Sequence, residues 1–273
     1  MNGMKLIGNG CIMTLLVFFY AASFGQSSET ADYVLESHLL PPTKIRYHSF
    51  FVNNSDMAYI PMNGGIFVPS DSAWHMLPEP DRYVTSLTQN IQDSSEFYIV
   101  NRADSSVLYH ASMRESKVRK KLKLAGMKKG LYSIVSIMNT CIVWGYDGEH
   151  SGIAIVMPQG LKWVYRMKGL IRQVQADATA EIYFCLDKSV YRLSDRKIIA
   201  RLDEPIYGFD FDPRGKLVVS TSAGIGKENG KSIELIATGI GGLVECGMDG
   251  SIHVLSSVSN RIYTLKTGQY KKN

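Results

Sequence analysis

Four acidic residues lie on or directly after two short stretches near the C-terminal end of the chain: Asp210, Asp212, Glu245 and Asp249. These stretches alternate apolar and polar residues, which predicts β-strands. Carboxylate oxygens are preferred ligands of Ca²⁺, so a calcium site is one interpretation. The favoured interpretation is that such Asp residues cap β-turns through the adjacent backbone. The sequence therefore predicts no metal and no cofactor, with calcium as the alternative.

Nucleophilic catalysis has no recognisable motif in this sequence. There is no Gly-x-Ser-x-Gly turn to expose a catalytic serine. The histidines are scattered along the chain, at His38, His48, His75, His110, His150 and His253. We therefore predict no catalytic residues.

Three cysteines each lie in an apolar, strand-like run: Cys141, Cys185 and Cys246. Buried thiols that pack as small hydrophobes are the favoured interpretation. One disulfide with a spare thiol remains the alternative if the chain occupies an oxidising compartment.

A basic stretch covers residues 114–123 and continues with Lys128 and Lys129. One interpretation is a surface for an anionic polymer, an acidic protein or lipid headgroups. The favoured one is an outer strand whose lysines discourage edge-to-edge pairing.

The first residues have the pattern of an export signal. Lys5 precedes an apolar run from Ile12 to Phe24, and Ser23-Phe24-Gly25 is a small-x-small cleavage pattern. This predicts a signal peptide at residues 1–25, a mature domain at 26–273 and an extracytoplasmic location, periplasmic or secreted. An uncleaved N-terminal anchor is the alternative.

The rest of the chain consists of short alternating runs separated by Gly, Asn, Asp and Ser, which is typical of an all-β fold. A similar phrase begins near residues 44, 84, 131, 171, 206 and 241. A repeat of roughly 40 residues with four short strands predicts the blades of a propeller. The sixth unit has too few strands, so we expect Tyr33–Leu40 to complete it. The prediction is an all-β, six-bladed β-propeller closed by an N-terminal strand, with a β-sandwich or a seven-bladed ring as alternatives.

Loops between the predicted units hold the remaining candidates. Ligands of such folds bind where loops from several units converge. We therefore predict a binding face that includes Arg82, Tyr83, Lys128, Lys129, Glu149, His150 and Glu204.

Two kinds of repeat resemble parts of this sequence. Phe209 to Val219, with Asp212-Pro213-Arg214-Gly215 at its turn, resembles NHL-type propeller repeats. Gly65-Ile66-Phe67 and Gly224-Ile225 are similar to propeller repeats attached to bacterial two-component regulators. Asp210, Asp212, Glu245 and Asp249 are also similar in kind to the metal ligands of propeller lactonases. In those enzymes an acidic motif opens the first blade, and the nearest sequence in this chain is Pro78-Glu79-Pro80-Asp81.

The composition sets limits on function. The 273 residues are 45% hydrophobic and carry a net charge of +5, which is too mild to predict nucleic-acid binding. With no reaction motif, we predict a non-enzymatic module that binds another envelope or secreted protein. Glycan binding remains open, and a calcium-dependent hydrolase or lactonase is the alternative.

Overall fold

In the computed structural model, the described residues are 33–41, 49–53, 55–62, 65–69, 72–76, 84–89, 96–101, 106–112, 117–124, 131–137, 140–256 and 258–267. The predicted signal peptide lies outside them, as do Arg82, Tyr83, Lys128 and Lys129 of the predicted binding face. Within these ranges no helix has the length and apolar character needed to cross a bilayer.

The described residues form 24 strands in six four-stranded sheets. The first strand in the chain, β1 (Tyr33–Leu39), belongs to the last sheet. The first sheet contains β2 (Phe51–Val52), β3 (Ala58–Met62), β4 (Gly65–Val68) and β5 (Ala73–Met76). The second contains β6 (Val84–Gln89), β7 (Glu96–Asn101), β8 (Ser106–Ser112) and β9 (Lys117–Leu124). The third contains β10 (Leu131–Ile137), β11 (Thr140–Tyr146), β12 (His150–Met157) and β13 (Gly160–Lys168).

The C-terminal half repeats this plan. The fourth sheet contains β14 (Ile171–Ala176), β15 (Ile182–Leu186), β16 (Ser189–Arg192) and β17 (Ile198–Arg201). The fifth contains β18 (Gly208–Phe211), β19 (Leu217–Ser220), β20 (Gly224–Asn229) and β21 (Ser232–Thr238). The last combines β22 (Leu243–Cys246), β23 (Ile252–Ser256) and β24 (Arg261–Thr267) with β1.

The N-terminal strand pairs as the sequence predicts. β1 runs antiparallel to β24, from Tyr33 opposite Thr267 to Leu39 opposite Arg261. All other neighbours in the six sheets are antiparallel hairpin partners in chain order. The first strands of the sheets contact one another in order along the chain, and β22 also contacts β2. This arrangement is an all-β propeller, and its core lies between the sheets.

Six apolar clusters fill the spaces between sheets. In one, Phe51 and Ile66 of the first sheet pack with Val84 and Leu87 of the second. Each later pair of neighbouring sheets has such a cluster. The sixth joins the first sheet to the last, where Phe67 packs with Leu255 and Ile262.

Hydroxyl groups add polar links between sheets. Ser86 on β6 accepts a 2.9 Å hydrogen bond from the backbone N–H of Ile134 on β10. Ser151 on β12 accepts one of the same length from the N–H of Ile171 on β14. Inner strands have one unpaired edge, so these bonds satisfy buried donors that would otherwise cost stability.

Strand direction separates the loops into two ends. Since neighbouring strands are antiparallel, the turn between the second and third strands lies at the same end as the connection to the next sheet. We call this end the connection face, which includes residues 146–150, 202–207, 221–223 and 258–260. We call the other end, with residues 177–181, 212–216 and 247–250, the hairpin face.

The cysteines among the described residues, Cys141, Cys185 and Cys246, are free thiols. Cys141 and Cys185 are buried, and Cys246 is partly buried. Burial raises the pKa of Cys141 and of Cys185 to about 12. The interpretation of these residues as small hydrophobes is therefore confirmed for the fold described here.

Candidate functional site

The inner strands surround a narrow cavity of about 20 Å³, which has room for little more than one water molecule. Its wall has two chemically different sides. The first three sheets supply apolar and hydroxyl groups, whereas the fourth and sixth sheets supply one amide, one carboxyl and two apolar side chains. The lining residues are Ser49, Phe50, Phe51, Thr88, Ile134, Val135, Trp144, Gln173, Val174, Leu243 and Glu245.

Two carboxyl groups lie close together on the polar side. Asp210 of β18 is 8% exposed, and its two oxygens accept 2.7 Å hydrogen bonds from the N–H groups of Phe211 and Cys246. Burial raises the pKa of Asp210 to about 7, with the charge of Asp212 acting in the same direction. Burial also raises the pKa of Glu245 on β22 well above its ordinary value, and the charge of Asp210 raises it further.

Two glutamines on β14 organise these carboxyls. Gln175 donates a 2.6 Å hydrogen bond to Glu245. Gln173 donates to the carbonyl of Val244 at 2.7 Å, and its oxygen accepts from the N–H groups of Phe209 and Val244. We call Gln173, Gln175, Asp210 and Glu245 the axial cluster. Its arrangement can hold a proton at neutral pH, because burial and the charge of Asp210 both oppose ionisation of Glu245.

The acidic residues considered for calcium do not form one group. Asp212 accepts hydrogen bonds from the N–H groups of Arg214 and Lys216 at 2.9 and 2.8 Å, and it pairs with Lys227 at 2.8 Å. Asp249 accepts from the N–H of Ser251 at 2.7 Å. The interpretation of Asp212 and Asp249 as turn caps is therefore confirmed. Across the described ranges, no three His, Cys, Asp or Glu side chains approach closely enough to hold a metal ion.

A buried histidine lies in the last sheet. His253 is 4% exposed, and its ring nitrogens contact the hydroxyl groups of Ser251 at 2.9 Å and Thr264 at 3.1 Å. Burial lowers the pKa of His253 to about 4. Although a Ser–His contact can activate a nucleophile, Ser251 is itself only 2% exposed and faces no cavity described above. The contact satisfies polar groups inside the sheet.

The described residues of the predicted binding face all lie on the connection face. Glu149 and His150 occupy the turn between β11 and β12, with side chains 65% and 49% exposed. Asp147 caps that turn by accepting from both of their N–H groups. These bonds, led by that of His150, lower the pKa of Asp147. The two side chains are therefore exposed on a fixed turn.

Glu204 has a different role from Glu149 and His150. Its carboxylate accepts hydrogen bonds from the hydroxyl of Ser222 and, at 3.0 Å, from the N–H of Ala223. The Ser222 bond is the main cause of its lowered pKa. Glu204 thus fastens a turn of the fifth sheet to the connection that precedes β18.

The axial glutamines were not among the predicted site residues. Gln173 and Gln175 alternate with Val174 and Ala176 on β14, and both are buried. A pair of amides alternating with apolar residues on a first strand could have indicated an inward polar face. The hydrogen-bond partners of those amides lie 36 to 71 residues away, so the sequence offered no signal for the contacts themselves.

Comparison with known proteins identifies the fold. No protein-family model matches the chain, and no curated protein matches it. The WD40 β-propeller domain of Doa1 is similar, with a TM-score of 0.56 and 10% identity over 85% of this chain and 98% of that one. A chain in the mitotic checkpoint complex is similar with a TM-score of 0.60 and 7% identity, covering 94% and 99%.

The extracellular domain of the hybrid two-component system protein BT4673 from B. thetaiotaomicron is also similar. The TM-score is 0.51 with 14% identity, and the match covers 81% of this chain and 32% of that one. At these identities the likenesses show a shared β-propeller fold. They support the propeller resemblance seen in the sequence without distinguishing the NHL type.

Proposed function

We propose that the six sheets are the blades of one ring closed by β1, and that the chain is a non-enzymatic protein-binding scaffold outside the cytoplasm. The proposed location is the cell envelope, with the protein either periplasmic or secreted. Two contacts support closure: the pairing of β1 with β24 and the packing of Phe67 against Leu255 between the first and last sheets. A closed ring leaves short, protected edges.

The observation that carries the binding role is the hydrogen-bonded rigidity of the connection face. The N–H of Ile206 donates to Asp187 at 2.7 Å, tying one connection to the neighbouring turn. Glu204 and Asp147 fix two further turns, as described above. A surface whose loops are already ordered loses little conformational entropy when a partner binds.

The same face presents suitable side chains. Val258 is 96% exposed and Leu170 is 40% exposed, and Leu170 directly follows Gly169, whose N–H bonds to the carbonyl of Glu149. Exposed apolar groups beside charged ones are typical of protein interfaces, where a few apolar anchors carry most of the affinity. The similar chain in the mitotic checkpoint complex and the similar extracellular domain are precedents for a protein partner and for an extracytoplasmic propeller.

The test is affinity capture from envelope and secreted fractions with matched surface variants. Leu170→Glu with Val258→Glu alters the connection face. Met157→Glu with Met248→Glu is the control, because both methionines are exposed and lie in turns of the hairpin face. We expect one stoichiometric protein partner that the first pair loses and the second pair retains. Loss in both pairs, or recovery of only unrelated proteins, contradicts the proposal.

Export is tested separately. Cells producing the full chain with a C-terminal tag are fractionated, and the N-terminus of the recovered protein is sequenced. We expect Gln26 as the first residue of protein found outside the cytoplasm. An intact Met1 in the cytoplasmic fraction contradicts the envelope setting and leaves the scaffold role to be judged by the capture experiment.

A further inference from the structure

The outer edges of three neighbouring sheets carry many exposed cations and few acidic residues. On β9, Arg119, Lys120, Lys121 and Lys123 are exposed, and the strand contains no acidic residue. On β13, Lys162, Arg166 and Lys168 are exposed, and it also lacks an acidic residue. The last strand of the fourth sheet and the turn before it add Arg196, Lys197 and Arg201. We call this series the basic strip.

The strip is physically continuous. The ammonium of Lys120 donates a 3.1 Å hydrogen bond to the carbonyl of Pro158 in the turn before β13. Leu122 of β9 and Leu161 of β13 pack in the same apolar cluster. The strands at the outer edges of the second and third sheets are therefore in contact, and their cations form one electrostatic surface.

Aromatic rings of the second and third sheets contact one cation from each of the three sheets. Lys121 lies 5.4 Å from the ring centre of Tyr109, and Arg166 lies 4.9 Å from that of Trp163. Arg196 of the fourth sheet lies 5.3 Å from the ring of Tyr165 on β13, linking these two sheets. A cation over the face of an aromatic ring is attracted by the ring quadrupole, which favours a defined position for the charge.

Protection of a sheet edge explains only part of this pattern. Lysines on β9 alone would discourage edge pairing, as the sequence suggested. Edge protection does not require a second outer strand without acidic residues. It also does not require aromatic rings in contact with cations from three sheets. The outer edge of the last sheet is mixed in charge. There Glu36 of β1 pairs with Lys266 of the neighbouring β24 at 2.9 Å.

We propose that the basic strip binds a linear anionic polysaccharide. An extended polymer can follow three successive outer edges around the curved side of a propeller, whereas a flat bilayer would meet only one. The aromatic rings lie beneath cations, and Tyr109 is 6% exposed, so they form no platform on which bases could stack. The strip is distinct from the connection face proposed above as the protein-binding surface.

The test measures binding of the folded mature chain to dextran sulfate and to polygalacturonate at about 0.15 M salt. The strip variant is Lys123→Glu with Lys162→Glu. The control is Lys216→Glu with Lys231→Glu in two turns of the fifth sheet. Both pairs change the net charge by the same amount. Because all four lysines are exposed, neither pair should disturb the core. We expect the strip variant to weaken binding about tenfold or more and the control to change it less than about threefold, since local attraction becomes repulsion only in the strip.

Three results would overturn the proposal. One is equal weakening in both variants, which would indicate a response to net charge alone. Another is the absence of wild-type binding to either polysaccharide. The third is tighter wild-type binding to poly-L-glutamate or to single-stranded DNA of matched charge, which would assign the strip to an acidic protein or a nucleic acid.

Discussion

The side-chain amide of Gln173 on β14 donates a 2.7 Å hydrogen bond to the carbonyl of Val244 on β22, across 71 residues of chain. The fifth sheet lies between these two in chain order, and the same glutamine oxygen accepts from the N–H of Phe209 in that sheet. One side chain therefore connects three sheets at the centre of the propeller.

Replacing Gln173 tests how much its side chain contributes to the free energy of unfolding. Gln173→Leu keeps the volume but leaves two buried N–H groups and one carbonyl without a protein partner. We expect a loss of about 3 kcal/mol in the free energy of unfolding, measured by urea titration. Arg172→Leu is the control. Arg172 is the exposed neighbour of Gln173 and contacts the ring of Tyr207, so its replacement should cost less than about 1 kcal/mol. Equal losses would show that Gln173 has no special role.

The axial carboxyls predict a stability that falls as the pH rises from about 4 through about 7. Folding raises the pKa of Asp210 to about 7 and that of Glu245 well above its ordinary value, so the folded state binds more protons than the unfolded one. Their contribution is therefore most favourable below pH about 4 and is lost as the pH rises from about 4 through about 7. The shift at Asp210 corresponds to at most about 4 kcal/mol.

Glu245→Gln isolates this effect. The amide keeps an oxygen for Gln175 but cannot ionise. We expect the free energy of unfolding of the wild type to fall relative to that of the variant as the pH rises from about 4.5 through about 7. In this range His253, with its pKa lowered to about 4, is neutral in the folded state. If the stability of the two proteins depended on pH in the same way, Glu245 would not be the group that titrates with a raised pKa.

His253 predicts the opposite dependence at acidic pH. Since folding lowers its pKa to about 4, the unfolded state binds its proton more tightly. This contribution is complete above about pH 6.5 and is lost as the pH falls through about 4. His253→Gln, which can still bond Ser251 or Thr264, should lose less stability than the wild type between about pH 6.5 and about pH 4.5. The readout is the urea midpoint, and identical slopes would contradict this assignment.

Removing the N-terminal strand tests closure. A chain that begins at Pro41 should unfold at a lower temperature than one that begins at Gln26, and should self-associate because β24 becomes an open edge. A synthetic peptide of residues 31–41 added in trans should restore a monomer. The same peptide with Leu35→Asp should fail, since Leu35 packs into the core, whereas Val34→Asp at an exposed position should still bind. Equal behaviour of the two peptides would contradict strand insertion.

Calcium provides a direct test of the alternative function. For a protein-binding scaffold we expect the same melting temperature in excess Ca²⁺ and in EDTA. A site saturated at about a hundred times its Kd would add ~2.7 kcal/mol, a shift of roughly 5–10 °C at this chain length. Such a shift, lost in Asp210→Asn, would favour the hydrolase or lactonase and direct assays to lactone and ester substrates.

Much of the local structure followed from the sequence. The run from Tyr207 to Val219 predicted two strands and a turn, and β18, β19 and the Asp212-capped turn are present. Pairing of residues 33–39 with the last sheet was also anticipated. By contrast, Glu204 was predicted as a binding residue, although its carboxylate is occupied by Ser222 and Ala223. A loop position indicates exposure but cannot reveal which nearby backbone donors a carboxylate will bind.

The sequence by itself determined strand periodicity, turn caps and the buried state of the cysteines, because each depends on residues within a few positions of one another. Only the tertiary structure decided that Gln173, Asp210 and Glu245 meet, and that the cations of β9 and β13 form one surface. Those contacts join strands from different sheets, separated by tens of residues in the chain. Ionisation and electrostatic field depend on distance and burial in space, so they became defined only when the sheets packed together.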